Sequence, residues 1–341
     1  MERFQHYVGI DLGEAKFTST ILTAPDAPLV ACIEFDNRAE SFVAFEQWLL
    51  QHGVKKDQSV ICLEATGVYG EALCYWLNGN NYRLAVEPPL KVKRAFYPKG
   101  HKNDRVDSKQ IAEYAYRFQD QLYYWKPKSQ LVEQVTTLLV TREQLVAQRT
   151  ATSNALTALK KKEVKNEMAQ KIYQENLATL AGQIKQLEQE VQKVIYEDQR
   201  FKILVTWLDS APGVGLLLAS NLLALTEGFT KHLDYPRLAA MIGICPYQFR
   251  SGTSVWKPDR SAGFGPSRLR KLLYLAACSV KKHNPAFMLY YARKEAEGKP
   301  ARLILNNIAN KLLRLICAML REQRPYIKNY VSVNPRLLKK A

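Results

Sequence analysis

Residues 129–196 contain no proline, and in their second half Tyr173, Leu177, Leu180, Ile184, Leu187, Val191 and Val194 recur at alternating spacings of four and three. An apolar seam of that period, held over three repeats, lies along one face of a long helix and needs a second helix to cover it. The first half of the stretch, Leu131 to Leu159, is less regular and places Arg142 and Arg149 where seam residues belong. Lys160-Lys161-Lys162 reads as the turn between two antiparallel helices. An intramolecular hairpin would bury the seam; dimerisation through the arm is the alternative. Either way the rod divides the chain, and three domains are expected: 1–125, an arm at 126–200, and 201–341.

Ahead of the arm, strands and helices alternate. Tyr7-Val8-Gly9-Ile10 is an apolar strand running into Asp11-Leu12-Gly13, Lys16 to Thr23 is β-branched and returns from that turn, and Leu29 to Phe35 offers a third strand. Ser41 to Leu50 has helical spacing, Ser59 to Leu63 is a buried-type strand ending at Glu64, Tyr69 to Leu77 reads as a helix, and Tyr82 to Val86 as a strand. Three strands followed by helix and strand in alternation is the order of an α/β RNase H-like core. From Glu87 to Asn103 the chain turns irregular and basic, with Lys91, Lys93, Arg94, Lys99 and Lys102 among proline and glycine breakers. A helix then runs from Asp104 to about Phe118.

After Arg200 the pattern is mostly α-helical. Phe201 to Leu208 and Leu216 to Leu225 flank Pro212-Gly213-Val214-Gly215, a turn whose glycines would let backbone N–H groups approach a phosphate, although a glycine turn between helices is also common. A short helix ends at Gly243, residues 248–266 read as irregular, and 267–282 and 300–320 as basic amphipathic helices.

Charge narrows the class of partner. Of 49 Lys and Arg, 20 fall in 241–341, against 4 of the 32 Asp and Glu, so nearly all of the net +17 lies there. Such a block on a near-neutral remainder is the footprint of a polyanion binder, with nucleic acid ahead of a membrane surface. Val214 to Leu225 is too short to span a bilayer and the first six residues lack a signal-peptide apolar region, so a cytoplasmic protein without a membrane partner is expected. Six scattered cysteines with no Cys-x-x-Cys argue against zinc and a disulfide framework.

Two constellations can carry chemistry. Asp11 and Glu64 end buried strands, and Asp104 and Asp107 share one helix face. Singly, Asp11 reads as a turn residue, Asp104 as an N-cap and Asp107 as a partner of the helix dipole. Together, beside a basic loop, they suit an all-oxygen site for Mg²⁺ or Mn²⁺. Gly9-Ile10-Asp11-Leu12-Gly13 also matches the first phosphate motif of the actin-like ATPases, but the second phosphate loop and adenosine motif of that class are not found. The other constellation is Arg250-Ser251-Gly252-Thr253-Ser254, followed by Lys257, Arg260, Arg268 and Arg270: an unhindered serine among cations that can hold a phosphate, or an ordinary loop.

In order and spacing, Tyr7 to Asp11, Leu63 to Gly67, Lys102 to Asp107 with Ile111-Ala112, Pro212 to Gly215, Ile242-Gly243 through Pro246, Ser251-Gly252 and Arg268 to Arg270 resemble the insertion sequence 110 family of transposases and recombinases, which includes the Piv-type invertases. The chain departs from the family at Asn103, at Ser108, where Ala is common after the last acid, and at Glu87, where Asn is frequent before Pro. The resemblance implies a RuvC-like RNase H domain with Asp11, Glu64, Asp104 and Asp107 as metal ligands. It implies a C-terminal domain with Ser251 as nucleophile, Ser254 being the fallback because the run from Ser251 to Arg268 fits loosely. It further implies donor and target DNA and a structured guide RNA as partners. With acids and serine on separate domains, the complete site is expected between subunits of a dimer or tetramer. The alternatives are a metal-dependent nuclease like the Holliday-junction resolvases, with water as nucleophile, and a nucleic-acid-binding protein with a degenerate core.

Overall fold

In the computed structural model, described for residues 4–96, 103–230, 234–251, 255–261, 263 and 265–328 (backbone alone at 249–251 and 255–260), the chain divides into two units, Met1–Pro127 and Lys128–Ala341. Unit 1 opens with β1 (His6–Leu12), β2 (Lys16–Leu22) and β3 (Ala31–Asp36), continues through α1 (Ala39–Gln51), β4 (Ser59–Glu64), α2 (Glu71–Gly79), β5 (Leu84–Glu87) and the short α3 (Pro89–Arg94), and ends on α4 (Asp104–Arg117). The strands form one sheet in the order β3-β2-β1-β4-β5. The first three are antiparallel, as tight turns allow, while β4 and β5 join β1 in parallel because a helix precedes each.

Strand parity splits the core of unit 1 in two. Val8, Ile10, Ile61, Leu63 and Leu84 face α1 and α2, where Phe42, Phe45, Leu49, Leu73 and Leu77 cover them. Tyr7, Val60, Cys62 and Ala85 face the other way, toward Ile111, Tyr114 and Ala115 of α4.

Unit 2 begins with α5 (Gln130–Lys160) and α6 (Glu167–Glu197), opened by the side-chain caps Ser129 and Asn166. The two pack as an intramolecular hairpin. Ile184, Val191 and Val194 of the expected seam are buried, whereas Tyr173, Leu177, Leu180 and Leu187 are half-buried. Arg142, the misplaced seam residue, answers Glu188 across the hairpin at 2.7 Å, and Arg149 is exposed.

The rest of unit 2 is α7 (Gln199–Asp209), α8 (Leu216–Thr226), α9 (Tyr235–Ile242), β6 (Pro246–Ser251), β7 (Val255–Ser261), α10 (Ser267–His283), α11 (Pro285–Ala296) and α12 (Ala301–Arg321). One core joins Val132, Val135, Val191 and Val194 at the base of the hairpin to α7–α10 and α12. α12 is long and apolar enough to cross a membrane, but eleven of its residues, from Ile304 to Leu320, are buried in that core.

Three parts differ from the sequence reading. Within Glu87 to Asn103, expected to be irregular, Pro89–Arg94 forms α3, whose first position suits a proline because no N–H is needed there. The segment 248–266, also expected to be irregular, holds the antiparallel ribbon β6–β7, in which Pro246 and Pro258 are tolerated because each strand of a two-stranded ribbon is an edge. α11 was not anticipated; it starts at the Asn284 cap, whose side chain accepts from the N–H groups of Ala286 and Phe287. The glycine turn at 212–215 also has a packing role. Gly213 has φ +76°, and a Cβ there would lie 2.6 Å from Val280 Cγ1 and 3.0 Å from the Ala276 carbonyl on α10. At Gly215 nothing lies within 4 Å. Gly213→Ala is therefore expected to cost about 2–4 kcal/mol and Gly215→Ala under about 1 kcal/mol, measured by urea unfolding.

Candidate active site: an acidic sheet edge under a helix start

Gly9, in the middle of β1, sets how close α4 can come. A Cβ on it would collide with the Ser108 carbonyl oxygen and the Ala112 amide nitrogen. α4 runs antiparallel to β1, since Tyr7, nearer the strand's start, meets Tyr116 ring to ring at 4.9 Å and donates its hydroxyl to Gln119 Oε1 at 2.9 Å. Its first turn must then lie over the strand's C-terminal end. From Gly9 to Asp11 is about 6.6 Å of strand, or about four residues of helix. Counting back from the Ser108–Ala112 crossing, Asp11 is level with the turn that holds Asp104 and Asp107.

The helix start leaves both acids available. Asn103, not Asp104, is the N-cap, its side-chain oxygen accepting from the Val106 N–H at 2.9 Å. Asp104 is exposed and Asp107 half-buried; both continue the sheet-facing stripe of Ser108, Ile111 and Ala115 past the end of the strands. A second contact fixes the rotation of α4: the buried hydroxyls of Ser108 and Thr20 on β2 lie 2.8 Å apart, and Ser108 Oγ also donates to the Arg105 carbonyl at 3.2 Å.

On the sheet, Asp11 and Glu64 share the parity of Tyr7, Gly9 and Cys62, so both belong to the α4 face. Ile10 pairs with Leu63 in register, which makes Asp11 and Glu64 the next neighbours, about 5 Å apart along parallel strands. The four acids thus occupy one face at one end of the sheet. Among the described residues, however, no three His, Cys, Asp or Glu side chains converge as a metal-binding group. The donors are all hard oxygens, which suits Mg²⁺ or Mn²⁺; the arrangement is an open edge, not a closed cage.

Glu87, passed over as a site residue in the sequence, stands directly across from Glu64 and is 1% exposed. Its carboxylate is fully engaged: Oε2 meets Lys91 Nζ at 2.9 Å, and Oε1 accepts the Tyr123 N–H at 3.0 Å. Lys91, one of the cations of the basic segment, neutralises this buried charge. Burial alone would lower its ammonium pKa, but the hydrogen bond and charge of Glu87 leave it raised. The only hint in the sequence was the i, i+4 spacing of the pair. Burial, with the Glu87 and Glu64 carboxylates adding to it, also pushes the Cys62 thiol up, and burial lifts Cys74 to about 12. Neither is a thiolate nucleophile at neutral pH.

The remaining sequence-selected residues divide by place. Lys93 and Arg94 are exposed on α3, while Lys99 and Lys102 lie outside the described residues. Ser251 ends β6 opposite Val255, at the turn of the ribbon. Arg250 lies beside it on β6 and Lys257 and Arg260 on β7; Ser254 falls outside the described residues. Arg270 Nη1 donates to the carbonyls of Ile242 at 3.1 Å and Gly265 at 2.8 Å, which ties α10 to the end of α9. Arg268 is half-buried with its Nε unpartnered, and burial lowers its pKa, Glu143 opposing and Arg142 adding to the shift.

Two family models match the chain in order. The DEDD IS110 model, described as a transposase, covers residues 8–164, and the model of the IS116/IS110/IS902 family transposases covers 205–292. The chain belongs to the IS110/IS116 family of transposases. The pilin gene-inverting proteins of Moraxella lacunata and Moraxella bovis are each 26% identical to it, over 94% of this chain and 98% of theirs. An uncharacterised 43.6 kDa protein of the insertion element IS110 from Streptomyces coelicolor is 32% identical over 115 residues, 34% of this chain and 28% of that protein. As a family member the chain is a DNA transposase or recombinase with DNA as substrate. The acids lie in the segment matched by the DEDD model and Ser251 in the segment matched by the other.

Gly9→Ala is expected to push α4 off the sheet and destabilise unit 1 by about 3 kcal/mol or more. Ser108→Ala should cost about 1 kcal/mol by leaving the Thr20 hydroxyl poorly paired, and adding Thr20→Val should cost less than the sum of the two single changes. A double-mutant cycle by urea unfolding checks both.

Proposed function

We propose that this transposase cuts and rejoins DNA at specific sites, with Ser251 as nucleophile and an RNase H-like, RuvC-type metal site built from Asp11, Glu64, Asp104 and Asp107. The observation that carries the reading is the placement of these acids: two on neighbouring strand tips and two on the helix turn that Gly9 allows to close over them. Four carboxylates at one edge repel one another unless a cation is present, and the strand order β3-β2-β1-β4-β5 with an acid at the tip of β1 supports the RNase H-like assignment. A bound divalent ion supplies charge that stabilises the oxygens of a phosphate under attack.

In this reading the Ser251 oxygen attacks the scissile phosphorus. The bond to one deoxyribose oxygen breaks, the serine proton leaves to that oxygen or to water, and a phosphoserine results. Rejoining reverses the step: a deoxyribose hydroxyl of the new partner strand displaces serine. No phosphodiester energy is lost to hydrolysis, which is why a protein nucleophile suits recombination. Arg250 is next to Ser251 on β6, Lys257 and Arg260 follow on β7, and all three carry charge suited to a phosphate. Similarity to the gene-inverting proteins over 94% of the chain supports inversion or transposition as the outcome. A guide RNA and a homo-oligomer, dimer or tetramer, complete the proposal, the RNA choosing sites by pairing while the protein holds backbone.

A second reading is a metal-dependent nuclease of the junction-resolving kind. It is favoured by the presence of all four acids within unit 1. The test is denaturing electrophoresis of protein incubated with labelled substrate DNA and Mg²⁺. The serine mechanism predicts a covalent adduct that Ser251→Ala abolishes and Ser254→Ala leaves; strand cleavage without an adduct sinks it. Asp11→Ala is expected to lower cleavage by at least about 10²-fold, since one charge-stabilising group in a site of this kind is worth about 3 kcal/mol.

A further inference from the structure

The outer edge of β5 is closed by the segment that follows α4. Trp125 N–H donates to the Leu84 carbonyl at 2.8 Å, Ala85 and Tyr124 form an antiparallel bridge, and Val86 N–H reaches the Tyr123 carbonyl at 3.4 Å. Beside this junction is a cleft of 380 Å³, lined by Asn78, Tyr82, Arg83, Tyr124, Trp125 and Lys126 together with Leu84. That volume is within the range of small-ligand sites.

The lining has a definite chemistry. Three residues are aromatic and two are cations, and no lining residue is acidic. Tyr82 is buried, its hydroxyl donating to Glu46 at 3.2 Å, with Lys56 Nζ 4.7 Å from its ring centre. Trp125 is half-buried, and Tyr75, 36% exposed, stands edge-on to it at 5.3 Å. Tyr124 is the open face, 43% exposed, while Arg83 and Lys126 are exposed beside it. Asn78 brings an amide that can both donate and accept.

We propose that this cleft is a stacking site for one unpaired nucleotide of a nucleic-acid strand, distinct from the acidic edge. Aromatic faces with flanking cations take a flat base and its phosphate together, and a base held in a duplex has no free face to offer. Position sets the site apart: the cleft borders the Leu84 end of β5, whereas Glu87 and the acids lie at the other end, about 10 Å along the strand. The inference rests on the proposed function only for the class of partner, nucleic acid.

The full chain is tested with 12-nucleotide single strands, one of thymidine and one of uridine, and with a duplex. A 5-iodouracil in either single strand, irradiated with the protein, is expected to crosslink to Tyr124 or Trp125, and the same base in the duplex is not. Tyr124→Ala is expected to weaken single-strand binding by anisotropy at least about fivefold, with Tyr124→Phe restoring it and duplex affinity unchanged. Lys126→Ala should reduce the slope of log K against log salt by about 0.7. The strand that loses affinity in Tyr124→Ala identifies the sugar. Crosslinks confined to unit 2, or single-strand affinity within twofold of the parent in Tyr124→Ala, overturn the proposal. Failure of Ser251 to form an adduct bears on the recombination chemistry alone, because none of these readings uses strand cleavage.

Discussion

The contact between α4 and β1 at Gly9 is the one on which the candidate site depends. A helix that rests on an ordinary strand stands off by the width of a side chain. Here the absence of a Cβ lets the backbone of Ser108 and Ala112 sit against the sheet. The approach lowers the first turn of α4 toward the ends of β1 and β4, bringing two helical carboxylates toward two strand-borne ones. Thr20 and Ser108 then fix the rotation of the helix, so that its acidic stripe and its apolar stripe share one face. The Asn103 cap holds the first turn without engaging Asp104.

Charge in unit 1 is arranged around this edge. Glu87 extends the row of carboxylates by one strand, and burial with pairing to Lys91 and the Tyr123 amide commits its charge to the fold. A buried carboxylate is tolerable only when it is so paired. The same pairing ties α3 and the segment after α4 to β5.

In unit 2 a helical hairpin and a bundle share one core. The seam of α6 is well buried near the hairpin's base, where Val191 and Val194 meet helices of the bundle, and only partly buried toward the tip. Arg142, Glu188, Glu143 and Lys271 form a charged chain from the hairpin to α10. Arginine in the seam is therefore an interhelical pairing and not a break in the helix. The sequence pointed to the anomaly without showing its partner, because Glu188 is 46 residues away.

The sequence by itself determined the periodic elements: five strands and their order of direction, the two arm helices, α7, α8, α10 and α12. Apolar period, caps and turn residues are local properties, and they are written in consecutive residues. It misread β6–β7, whose prolines and small residues look irregular until the strands pair, and it did not separate Lys91 and Arg270 from the other cations. Those residues differ from Lys93 and Arg94 only in what they touch: a buried carboxylate in one case and two carbonyls at a helix end in the other. Only the tertiary structure decided which charges are committed to the fold, that Gly9 admits α4, and that Tyr82, Tyr124 and Trp125 line one cleft. Each of these is a meeting of residues distant in the chain, and no local pattern encodes the distance between them.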